Sequence, residues 1–229
     1  MKKKKIEASQ IVLHITLSLL CLTYILPFML LVSISFSSES AIREFGYTFI
    51  PKVFSVEAYK QIFNNPTSLI NAYKTTTIFS ALTTALSIIV MGMMAYPLAR
   101  KNCNFRKPLS FFIFFTMLFS GGLIPSYIIN TNVLHLNNTI WIYILPSLVS
   151  AWFIIIIRTF YQGLPIEMIE AAKIDGASEI TVFTRIIAPL SLPSYATIGF
   201  LVLLAKWNDW NTTLIYIDNS ELYSLQYLL

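Results

Sequence analysis

At 229 residues, 56% of them hydrophobic and only 12% charged, with a mean hydropathy of +0.68, the chain is too apolar for an ordinary water-soluble domain and is built for lipid. A net charge of +5 does not signal nucleic acid here, because the basic residues fall between hydrophobic stretches and do not interleave with aromatics on one soluble face. Two cysteines, Cys21 inside an apolar stretch and Cys103 between Asn102 and Asn104, give neither a disulfide framework nor a metal-ligand pair.

The basic segment 1–10 opens Met1-Lys2-Lys3-Lys4-Lys5 and leads into an apolar run over 11–34. A secretory signal has an apolar region of roughly 7 to 15 residues, so this longer run reads as an uncleaved first transmembrane helix. Segment 35–75 is polar enough to leave the membrane, holds Pro51 and Pro66, and predicts a short amphipathic helix near Val56 to Phe63 on the outer side. The core, 76–229, then carries four more apolar stretches near 76–97, 109–129, 140–157 and 187–204. None of the five stretches contains Asp, Glu, Lys or Arg. A charge at the centre of a span costs at least about 2.5 kcal/mol on insertion scales, so charge-free windows of this length favour spanning over burial in a soluble core. Pro27, Pro146 and Gly199 fit either ordinary kinks or close-packing points. Pro146 is also a candidate for the translocation path, because a mid-membrane kink frees a carbonyl that is tolerated chiefly against protein or water.

Lys and Arg placement predicts an N-terminus inside the cell. Inner segments would then hold Lys2, Lys3, Lys4, Lys5, Arg100, Lys101, Arg106, Lys107, Arg158, Lys173 and Arg185, eleven of the sixteen basic residues. The loop 99–107 has four positive residues and no acid, whereas the loop 130–138 on the other side has no Lys or Arg. Five spans would leave the C-terminus outside. The chain stops at Tyr227-Leu228-Leu229 without a cap, stop-transfer charge or polar tail, which reads as a truncation, with a sixth helix expected in the full-length protein.

Between the fourth and fifth stretches lies the informative segment, the loop 159–190. Pro165 suits the first turn of a helix, and Glu167 and Glu170 put negative charge near its positive end. That helix is expected to run to about Lys173. Gly176 can take a positive φ and end it, after which Asp175 or Ser178 can cap a second helix. Ile180, Phe183 and Ile187 then recur at spacings of three and four, one apolar stripe expected to pack on the ends of the spans. Ala171, Ala172, Gly176 and Ala177 leave the turn nearly bare, a shape a partner's groove can close around. Taken physically alone, the segment also fits an interfacial amphipathic hairpin.

Glu170-Ala171-Ala172, then Asp175-Gly176-Ala177, then Phe183 and Pro189, resemble in order and spacing the loop motif of ABC importer permeases. Phe119-Ser120-Gly121-Gly122-Leu123-Ile124-Pro125, Phe160-Tyr161-Gln162-Gly163-Leu164-Pro165, Trp207-Asn208-Asp209-Trp210 and Leu222-Tyr223-Ser224-Leu225-Gln226 extend the likeness over nearly the whole chain. Together they are similar to the carbohydrate-uptake, maltose-type permeases, and most of all to those for oligosaccharides such as aldouronates. The resemblance implies an all-α, polytopic transmembrane bundle of the type-1 ABC importer permease kind, with five spans here. It implies a plasma-membrane subunit that pairs with a second permease, receives a carbohydrate from an extracytoplasmic sugar-binding protein, and is driven by cytoplasmic ATPase subunits that grip the loop through Glu170, Ala171, Ala172, Asp175 and Gly176. ATP and Mg belong to those partners, since this chain has no Gly-x-x-x-x-Gly-Lys-Ser/Thr loop and is expected to bind no cofactor or metal itself. Without the sixth span, part of the usual pore lining would be absent.

Trp207, Asn208 and Asp209 are further candidates for the translocation path, since aromatic faces stack on sugar rings and the polar pair can hydrogen-bond. A Trp at a span end is also the expected interfacial anchor. A polytopic enzyme acting on a lipid-linked sugar would need a carboxylate pair or metal site, for which Glu39, Glu44 and Glu57 are the only weak candidates. A passive channel would need no loop shaped for a cytoplasmic motor.

Overall fold

The computed structural model describes residues 8–64 and 66–229, so Lys2, Lys3, Lys4 and Lys5 lie outside the described residues. The chain forms two compact units, one up to Pro66 and the other from Thr67 to Leu229. Regular structure is helical, and among the described residues the only β-type pairing is an isolated antiparallel bridge between Ser37 and Phe54.

In the first unit, α1 (Ala8–Ser35) carries Pro27 and keeps its large apolar side chains exposed, as a helix whose solvent is lipid can. Ser38 caps α2 (Glu39–Phe45) by accepting from the Ala41 N–H at 3.3 Å. The amphipathic helix expected near Val56 to Phe63 is α3 (Glu57–Asn64). Phe36 stacks on Phe54 at 5.5 Å and lies against Tyr59 at 5.3 Å, which fastens the segment after α1 onto the start of α3.

The second unit is built on α4 (Pro66–Ala99). It begins at Pro66 and not near Thr76, because Pro suits a first turn and the Thr, Asn and Lys that follow are compatible with helix; hydropathy marks the apolar window, not the helix start. Next come α5 (Arg106–Leu118), α6 (Leu123–Ile128, prolonged by a π turn over Ile129–Val133), α7 (Trp141–Ile144, prolonged by a 3-10 turn over Leu145–Ser147) and α8 (Ala151–Gln162). The loop contributes α9 (Ile166–Ile174), α10 (Glu179–Val182), a π turn over Phe183–Ile187 and α11 (Ala188–Leu190). It is followed by α12 (Leu192–Trp207), α13 (Asn211–Tyr216) and α14 (Leu225–Leu228).

By length and composition α1 and α4 can each cross a bilayer whole, and three bent pairs reach that length together. The five apolar stretches are therefore present, but three are broken. The α5–α6 pair bends by 113° where Gly121 and Gly122 interrupt it, with Gly122 at φ 84°. The pair made of α7 and α8 bends by 51° just after Pro146, and the loop's last turns meet α12 at 75°. Helices approach closely at glycine: a Cβ on Gly199 would come within 2.7 Å of Ile88 Cδ1, so Gly199 is a packing point of α12 on α4.

Two cores result. One joins Met91, Ala95 and Leu98 of α4 to Ile154, Ile157 and Tyr161 of α8, Ile198 and Val202 of α12, and Ile169, Val182 and Ile187 of the loop. The other gathers Phe79, Leu136, Ile142, Tyr143, Ile144 and Ile217 further toward the N-terminus of α4, with Phe79 and Tyr143 stacked at 4.2 Å.

Candidate functional site

The loop between α8 and α12 is two short helices broken at a glycine. Gly176 has φ 78°, its N–H donates to the Lys173 carbonyl at 3.0 Å, and the Ala177 N–H reaches back to the Ala172 carbonyl at 2.9 Å. This is the Schellman ending that a glycine beyond a helix C-terminus makes, with the small apolar Ala172 and Ala177 facing the core beneath it. Pro165 stands one position before the helix as its N-cap, and of the two expected caps for the second helix it is Ser178 that serves, accepting from the Thr181 N–H at 3.2 Å.

The inner face of the loop is anchored. Ile169, Val182 and Ile187 are buried, and Phe183 packs on Tyr96 of α4 with ring centres 5.4 Å apart. The expected stripe of Ile180, Phe183 and Ile187 is corrected in one member, since Ile180 is 76% exposed and Val182 takes its place. A π turn causes the shift. The Ala188 N–H donates to Phe183 five residues back, and Pro189 has no N–H to continue an α ladder, so residues five apart, Val182 and Ile187, share a face.

A polar clasp adds to the apolar anchor. Glu179 accepts from the Tyr96 hydroxyl at 2.5 Å and forms an ion pair with Lys173, while Arg100 lies 5.9 Å over the Tyr96 ring. One carboxylate thereby ties α9, α10 and the end of α4 together. The Lys173 ammonium first, and then the Tyr96 hydroxyl, hold the Glu179 carboxyl below the usual carboxylate range. No reading of the sequence pointed to Glu179 or Tyr96, because they are far apart along the chain. One step deeper, the Tyr161 hydroxyl donates to the Gly92 carbonyl at 3.3 Å and is hydrogen-bonded to the Tyr195 hydroxyl, joining α4, α8 and α12.

The outer face is free. Glu170, Ala171, Asp175 and Gly176 are exposed, Ala172 and Ala177 half-buried, Phe183 half-buried and Pro189 exposed. Nothing lies within 4 Å of the position a Gly176 Cβ would take. Ile174, 86% exposed at the tip, is an apolar side chain with no use inside this chain, and its signal in the sequence is an Ile outside the apolar period just before Asp175-Gly176. Between α9 and the ends of α4 and α8 lies a cleft of about 610 Å³ whose wall includes Arg100, Lys101, Arg106, Glu167 and Glu170.

The candidate translocation-path residues do not gather at one place in this way. Asp209 is engaged: its carboxylate accepts from Lys206 at 2.7 Å and from the Thr212 N–H and hydroxyl at 3.1 and 2.9 Å, which caps α13. The Asn208 side chain donates to the Leu204 carbonyl at 2.8 Å, Trp207 is half-buried, and Pro146 is exposed at the bend before α8. Beside Asp209 a buried chain of hydroxyls holds the C-terminal segment: Tyr143 donates to the Leu222 carbonyl at 2.9 Å, Thr213 to Ser224 at 2.8 Å, and Ser224 to the Asp209 carbonyl at 2.8 Å.

Over residues 9–223 the sequence matches the family of binding-protein-dependent transport system inner membrane components. The chain belongs to that family. It is 40% identical to protein LplC of Bacillus subtilis over 90% of this chain and 69% of LplC. It is 36% identical to the polygalacturonan/rhamnogalacturonan transport system permease protein YtcP of the same organism, over 93% of this chain and 74% of YtcP. A crystal structure of a bacterial ABC transporter involved in the import of the acidic polysaccharide alginate contains a chain that superposes with a TM-score of 0.86 at 25% identity, covering all of this permease and 81% of that chain. The permease is thus a multi-pass subunit of a transport system and not an enzyme, which removes the lipid-linked-sugar reading.

Proposed function

We propose that this permease carries an oligosaccharide across the plasma membrane by alternating access, driven by ATPase subunits that dock on the loop 159–190. The observation that carries the reading is the division of that loop into an anchored inner face and a bare outer turn at Ala171, Gly176 and Ile174. The sugar assignment draws on relatives named for polygalacturonan/rhamnogalacturonan and arabinooligosaccharide transport and on the alginate importer. Charge placement supports an N-terminus and loop on the cytoplasmic side. A second permease subunit and an extracytoplasmic sugar-binding protein complete the assembly, with ATP and Mg held by the ATPase.

The mechanism follows from rigidity. When ATP draws the ATPase dimer together, the groove around α9 moves, and the Glu179 clasp and the Val182–Ile187 anchor oblige the ends of α4, α8 and α12 to move with it. Sugar delivery on one side and ATP on the other then bias the same two states. Pro146, beside the 51° bend, and Trp207 and Asn208 at the end of α12 remain the candidates for the path, while Asp209 acts through α13.

Gly176→Trp in the assembled importer tests this. The site is open within the permease but any side chain at φ 78° strains the turn, so Gly176→Asn, small and tolerant of that conformation, is the control: both variant subunits are expected to accumulate, while ATPase co-purification and sugar uptake each fall by about tenfold or more only for Gly176→Trp. Normal values for both would refute docking at this turn.

A further inference from the structure

The cleft behind α9 has a charge arrangement that coupling does not account for. Arg100 and Lys101 leave the end of α4 and Arg106 starts α5, and among the described residues none of the three has a carboxylate within 4.0 Å. Lys173, the fourth cation on the wall, is taken by Glu179. The first turn of α5 has no acid and no side-chain cap, so Arg106 sets positive charge at the positive end of a helix. Glu167 and Glu170 stand on the α9 wall, unpaired with Arg100, Lys101 or Arg106, of which Arg100 also lies over the Tyr96 ring. An anion seated against the α4–α5 wall would relieve three clustered like charges at once.

We propose that this cleft holds one phosphate group, supplied by an anionic phospholipid headgroup or taken as free phosphate. Arginine offers forked donors suited to phosphate oxygens, and the two arginines with Lys101 outnumber the two carboxylates of the α9 wall. The surroundings favour the lipid source. Tyr96, Ala99 and Tyr161 line the cleft where two apolar helices end, and α5 leads away from Arg106 with Phe111, Phe112 and Phe115 exposed, a track on which an acyl chain can lie. This goes beyond the coupling reading and does not depend on it.

The test uses the assembled importer in nanodiscs of phosphatidylcholine with or without phosphatidylglycerol, reading lipid retention by native mass spectrometry. Wild type is expected to retain phosphatidylglycerol in preference to phosphatidylcholine. Arg100→Gln with Arg106→Gln should cut that retention by about tenfold, whereas Lys107→Gln, which removes a charge outside the cleft, should leave it nearly intact. Glu167→Gln gives the opposite sign: removing a repelling carboxylate should raise retention, whereas a cleft made only to close by Arg–Glu pairing would show a fall or no change. In phosphatidylcholine discs, calorimetric binding of inorganic phosphate that disappears with the double substitution would identify free phosphate as the source. Equal retention of both lipids together with no phosphate binding, retention unmoved by the arginine substitutions, or a fall or no change with Glu167→Gln overturns the site.

Discussion

Glu179 is the residue on which the loop's stiffness turns, since it alone reaches both Lys173 in α9 and Tyr96 in α4. Its ion pair is partly exposed and worth little by itself, so Glu179→Gln should leave the subunit folded and still bound to its ATPase. What should change is transmission: ATP hydrolysis continues while sugar uptake per ATP falls by about twofold to fivefold. Equal losses of ATPase binding and uptake would instead make Glu179 part of the docking surface. The pH dependence has a definite sign. Because the folded-state value is depressed, the stabilisation is fully present above the usual carboxylate range and is lost as pH falls through the lowered value. The ratio of uptake to hydrolysis should therefore stay flat from neutral pH down to that range in wild type, and Glu179→Gln should show at neutral pH the ratio that wild type reaches only in acid.

Among the elements, α4 is the one the others are fitted to, and small residues allow it. A Cβ on Gly92 would lie 3.0 Å from the Tyr195 hydroxyl and 3.2 Å from that of Tyr161, displacing the bond to the Gly92 carbonyl that ties three helices. In lipid such contacts replace the hydrophobic drive, so Gly92→Ala should destabilise the subunit by about 1 to 3 kcal/mol, seen as a lower midpoint of thermal aggregation in detergent. An unchanged midpoint would mean that the tyrosines move aside freely. Gly92 shows how far the elements were legible. Charge-free windows located all five apolar stretches, because exclusion of charge is local to the sequence, and Gly176 announced its turn because a helix-ending αL residue favours glycine. Pro146 likewise marked a kink, and the 51° bend lies beside it, but the extent of the other two breaks, the π turn that exchanges Ile180 for Val182, and the capping duty of Asp209 were not legible. The π turn follows from one missing N–H at Pro189 and the Asp209 cap from neighbours three residues away, and neither changes hydropathy or period beforehand.

At the scale of the whole molecule, the second unit has a basic end and an end nearly free of cations, with α4, α8 and α12 running between them. The loop 159–190 belongs to the basic end, where Arg100, Lys101 and Arg106 share a cleft with α9. If that end faces the cytoplasm, Ile174 and Asn132 lie on opposite sides of the membrane. Both are exposed, so each can report its side as a single cysteine once Cys21 and Cys103 are replaced. Asn132→Cys should react with a membrane-impermeant maleimide in intact cells, and Ile174→Cys only after the membrane is opened. Reaction at Ile174 carries further information, because its 86% exposure belongs to the subunit without its motor. In the assembled importer the ATPase groove should cover it, slowing modification by about tenfold or more relative to the permease alone. Labelling of Ile174→Cys in intact cells would invert the topology. Labelling after opening, at a rate the ATPase does not change, would keep the topology and move the docking surface away from the tip of α9.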